Sequence, residues 1–76
     1  MTKQKTKFNY HEAEGRDDGK HLKSWKLASK FEILKNARKF YGNAPIMATY
    51  EENYRTYKEA FLKAYQQARQ EESHDN

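Results

Sequence analysis

A chain of 76 residues supports one small domain, since a chain of this length removes only about 60% of its unfolded surface from water. Hydrophobic residues make up 36% and charged residues 34%, with a mean hydropathy of −1.36, so most of the chain faces water and any core is small. There is no cysteine behind the formal net charge of +4, which excludes a disulfide framework, a thiolate nucleophile and a cysteine-held metal.

The charge is laid down in blocks. Lys3, Lys5 and Lys7 stand without an acid in the first ten residues, and Glu12, Glu14, Asp17 and Asp18 then outnumber Arg16. Lys20, Lys23, Lys26, Lys30, Lys35, Arg38 and Lys39 face only Glu32 between residues 19 and 41, and the remainder is mildly acidic.

Residues 1–19 show no helical period. Glu14-Gly15-Arg16-Asp17-Asp18-Gly19 reads as turn chemistry, with glycines for positive φ and aspartates for local backbone bonds. The reading is a flexible or extended N-terminal arm, with Phe8 and Tyr10 on one side of a short extended stretch.

From residue 20 to 41 helix formers dominate, and Gly42 with Pro45 beyond it supplies a stop. This predicted helix has two apolar faces. Leu22, Trp25, Ile33 and Phe40 fall on one, joined by Ser29 and Asn36, while Leu27, Phe31, Leu34 and Tyr41 fall on the other. Ser29-Lys30-Phe31-Glu32 also matches a capping box, which offers two shorter helices as the alternative.

Thr49-Tyr50-Glu51-Glu52 is a second capping box and opens a helix over about 49–70. Tyr50, Tyr54, Tyr57, Phe61, Ala64, Tyr65 and Ala68 recur at steps of three and four, the cleanest period in the chain. Residues 71–76 read as a polar tail.

The expected fold is all-α: an antiparallel helical hairpin over 20–70 with an extended N-terminal arm. Its core would set Leu27, Phe31 and Leu34 against Tyr54, Tyr57, Phe61 and Tyr65. The second face of the first helix then needs cover from the arm or from a second copy making a four-helix bundle, and the homodimer is favoured.

Catalytic ingredients are sparse. Ser24, Ser29, Ser73, His11, His21 and His74 match no triad, phosphate loop or dinucleotide fingerprint, so the chain reads as non-enzymatic. His11, Glu12, Glu14, Asp17, Asp18 and His21 crowd eleven positions, but their spacing fits no metal loop and they read as a solvated acidic turn. No metal or cofactor is expected.

Two binding modes remain. Eleven aromatic residues exceed what a small core hides, and Leu22, Trp25, Ile33 and Phe40 form the candidate protein-binding face. Lys3, Lys5, Lys7, Lys20, Lys23, Lys30, Arg38 and Lys39 are the alternative, a nucleic-acid surface, though arginines are few and no helix-turn-helix spacing occurs. No apolar run approaches a membrane span, and an intracellular, cytoplasmic location is expected. The expected function is that of a small regulator, adaptor or inhibitor, of a build frequent in phages and plasmids, which binds a protein partner stoichiometrically and acts on nucleic-acid-handling machinery.

Overall fold

The computed structural model describes residues 8–74 as three helices, α1 (Tyr10–Lys20), α2 (Ser24–Tyr41) and α3 (Pro45–His74), with no strand among the described residues. The all-helical class is as expected. The arm is not: from Tyr10 onward the segment assigned to it is α1. Asn9 caps this helix, its Oδ1 accepting from the amides of His11 at 3.0 Å and Glu12 at 3.2 Å. Glu12 stands in the first turn, where a carboxylate suits the helix dipole.

Gly15 and Gly19 do not make turns. Both are buried inside α1 and face α3. A Cβ built on Gly15 would run into the carbonyl oxygen of Tyr57, and one on Gly19 into that of Phe61. Glycine within a helix costs up to about 1 kcal/mol relative to alanine, and here its bare Cα lets two backbones touch. Position 15 meets 57 and position 19 meets 61, so α1 and α3 run in the same direction.

The helix expected to begin near residue 20 starts at Ser24, because the chain reverses first. Leu22 takes the left-handed conformation with φ 56°. Its amide donates to Gly19 O at 2.9 Å, and that of Lys23 to Asp18 O at 2.9 Å. α2 then runs without a break through Ser29, so the two-helix alternative is not adopted. It stops where predicted, at Gly42, whose φ is 58° and whose amide donates to Arg38 O at 3.1 Å.

α3 begins four residues earlier than the Thr49 capping box predicts. Proline is well placed at a first helical position, because its missing N–H has no partner there in any case. The amides of Met47 and Ala48 close the first turn onto Ala44 O at 2.9 and 3.2 Å. The Thr49 hydroxyl donates back to Pro45 O at 3.3 Å, a bond made within the helix and not a cap.

α2 returns antiparallel to α3, as the Phe31–Tyr54 ring pair at 5.9 Å and the Tyr41–Tyr50 stack at 5.9 Å show. Leu34, Ala37 and Met47 pack between them with Tyr54. Tyr57 and Phe61 are fully buried, and the rings of Tyr57, Phe61 and Tyr65 stack in succession at 5.9 and 5.4 Å. Of the expected core, Leu27, Tyr54 and Tyr65 are half-buried and Phe31 is 43% exposed. Ala37 and Met47 are core residues that the apolar period did not single out.

The α1–α3 contact yields a test. Gly15→Ala gains helix propensity yet places a methyl on the Tyr57 carbonyl, so the variant should be less stable by about 1–3 kcal/mol, as overpacked sites are. Urea unfolding of wild type and variant measures this, and a midpoint that is equal or higher would show that the backbones do not touch.

Candidate interaction surface

Along α2, Trp25, Ser29, Ile33, Asn36 and Phe40 recur at steps of four, four, three and four, which sets them on one side of the helix. Leu34 and Ala37 carry the adjoining side of the helix into the core, about 100° round the axis, so this stripe runs along the flank of α2. All five are exposed, with Trp25 at 64%, Ile33 at 55% and Phe40 at 80%. None carries charge. The Lys26 ammonium lies 5.2 Å from the centre of the Trp25 ring.

Leu22, expected on the same face, lies outside α2 in the reversal that precedes it and is half-buried, so it does not extend the stripe. The apolar surface continues elsewhere. Ile33 borders a cleft of about 150 Å³, shared with His11 of α1 and Tyr50, Asn53 and Tyr54 of α3. Exposed Ile46, Tyr41 and Tyr50 lie at the corner between α2 and α3. Sequence reasoning missed this extension, because it set Tyr41 on the inward apolar face of the first helix and opened the second helix only at about residue 49, past Ile46.

The basic residues are distributed differently. Lys3, Lys5 and Lys7 lie outside the described residues. Lys30 turns inward, its ammonium 2.8 Å from Glu14 Oε1 and 5.1 Å from the centre of the Tyr57 ring. Arg38 Nε donates to Glu51 Oε2 at 3.4 Å. Lys20 and Lys39 are exposed and Lys23 is half-buried. Lys23 and Lys39 stand near opposite ends of α2, about 24 Å apart at 1.5 Å per residue. The structure does not gather these cations into one patch.

The acidic segment is equally dispersed along α1. Glu12 pairs with Arg16 at 3.3 Å, Asp17 with His21 at 3.5 Å, and Glu14 with Lys30. Asp18 is buried, and its Oδ2 accepts from the Tyr57 hydroxyl at 2.8 Å. Among the described residues no group of three such side chains converges to hold a metal. Burial pushes the Tyr57 hydroxyl well above its ordinary 10.0, and the bond to Asp18 pushes the same way. Tyr54 is raised by burial as well, with Arg38 opposing.

No family model matches this chain, and no curated protein or solved structure matches it.

The Tyr57 shift has a consequence at alkaline pH. The folded chain holds this proton more tightly than the unfolded chain does, so stability present below pH about 10 is lost as the pH rises past that value. Tyr57→Phe removes the dependence and leaves a buried carboxyl without its partner, which costs about 1–3 kcal/mol near neutrality. Urea unfolding at about pH 8 and pH 11 should show a smaller loss in the variant than in wild type. Equal losses would remove Tyr57 as the source.

Proposed function

We propose that this chain is a non-enzymatic binding protein, a regulator, adaptor or inhibitor that meets a protein partner stoichiometrically through the outer stripe of α2. The observation that carries the reading is the exposed, charge-free row of Trp25, Ile33 and Phe40 on a helix whose inner side is already packed. Exposed apolar residues in one contiguous patch mark interaction sites, and Trp and Phe are frequent anchors there. The basic ends of α2 steer association toward an acidic surface or toward a protein that itself handles nucleic acid. No helix among the described residues is long and apolar enough to cross a membrane.

Because Trp25 and Phe40 make few contacts inside the chain, their removal separates binding from folding. Trp25→Ala should weaken partner binding by about 2 kcal/mol or more, with helix content and the unfolding midpoint unchanged. Affinity purification with wild type and with the Trp25→Ala, Phe40→Ala double variant measures this. A partner held equally by both overturns the assignment of the stripe. Steeply salt-dependent binding of random-sequence duplex DNA that ignores the double variant would move the function to the lysines.

A further inference from the structure

We infer that the α2 stripe is also the contact between two copies of this chain, joined with their α2 helices antiparallel, so that self-association and partner binding compete for one surface. This rests on the stripe being a protein-binding surface and names one of its occupants. The structure packs α1 and α2 against α3 and is only 12 Å through its thinnest direction, about one layer of helices. A stable domain sets a second layer against an apolar face, and none of the described residues does so for the stripe on α2.

The order of residues in the stripe suits a copy of itself. Ser29, Ile33, Asn36 and Phe40 follow the four-three-four spacing of a coiled-coil seam. In an antiparallel two-fold contact centred beside Ile33, Trp25 falls opposite Phe40 of the second copy and Ser29 opposite its Asn36, with the two Ile33 side chains near the axis. Each large ring meets a large ring at an end of the contact. The Ser29 hydroxyl and the Asn36 amide supply both donor and acceptor, so neither need enter the seam unpaired.

Area bounds the size of the contact. With large side chains presenting about 150–250 Å² each, the stripe exposes on the order of 500 Å² per copy. The pair then buries about 1,000 Å², the lower limit for a specific interface. A contact at this limit belongs with weak, reversible associations, so the stripe opens to other partners on dilution.

One charge identifies the register. Glu32 flanks the stripe beside Ile33, so an antiparallel pair brings the two Glu32 carboxylates together near the axis, each with its own Lys35 at 4.0 Å. Parallel helices would keep them apart. Removing this repulsion should tighten an antiparallel dimer.

Sedimentation equilibrium of the full chain from about 1 μM to about 1 mM tests the inference. The mass should climb from 9.1 kDa toward twice that. Trp25 is the chain's single tryptophan, so its emission should shift to the blue over the same concentrations. Ile33→Glu should hold the mass at the monomer value, and Phe40→Glu should do the same, with helix content unchanged in both. Glu32→Gln should tighten association several-fold. A wild-type chain that stays monomeric at the highest concentration, or a dimer that survives both stripe variants, overturns the inference. A dimer that Glu32→Gln leaves unchanged or weakens overturns the antiparallel register. If wild type is monomeric while the Trp25→Ala, Phe40→Ala variant still loses a bound partner, self-occupancy falls and the partner-binding reading stands. A stripe-dependent dimer whose partner is held equally by that variant has the opposite meaning.

Discussion

Everything in this structure depends on the direct contact between the backbones of α1 and α3 at Gly15 and Gly19. Without Cβ atoms at these two positions, α1 settles deeply enough to bury the Asp18 carboxyl and bring it to the Tyr57 hydroxyl at 2.8 Å. The same approach sets Glu14 within 2.8 Å of Lys30 and so ties α1 to α2. A methyl at either position would lift α1 off α3 and separate those pairs together. The helix propensity given up at the glycines is offset by burial of Tyr57 and Phe61 beneath α1, whose side chains are each worth about 1.5–3 kcal/mol once removed from water.

That contact determines where the remaining apolar surface goes. α1 lies over Tyr57 and Phe61, and α2 covers Met47 and Tyr54 with Leu34 and Ala37. These layers use one side of α2 only. Its flank carries Trp25, Ile33 and Phe40, each left more than half exposed. The exposed stripe and the small core thus have one origin: α1 and α2 both pack chiefly against α3, and α2 has two apolar sides.

Charge shows how sequence order and spatial order diverge. The segment between residues 19 and 41 concentrates seven cations against one acid, yet helical geometry turns them in every direction. Lys30 becomes part of the interior network with Glu14 and Tyr57, and Arg38 pairs with Glu51 across α2 and α3. Exposed pairs of the latter kind contribute little to stability and depend on salt, but they occupy groups that a phosphate would otherwise meet. What is left at the surface is charge at the two ends of a helix, suited to steering more than to tracking a nucleic-acid backbone.

The sequence alone determined the helical class, the stop at Gly42, the aromatic face of α3 and the two-sided nature of α2, because each is written in spacing and local backbone preference. Asn9 with Glu12 three residues later was a legible start signal for α1, but the glycines and aspartates after it carried the stronger local vote for a turn. Ala37 and Met47 gave no periodic signal, and Pro45 read as a helix breaker although it opens α3. Only the tertiary structure decided that Gly15 and Gly19 belong to a helix, that Lys30 and Asp18 face inward, and that Leu22 leaves the stripe it was expected to join. The reason is physical: a glycine's worth in a turn is local, whereas its worth as a place for another backbone to rest depends on a partner 42 residues away that no short window of sequence contains.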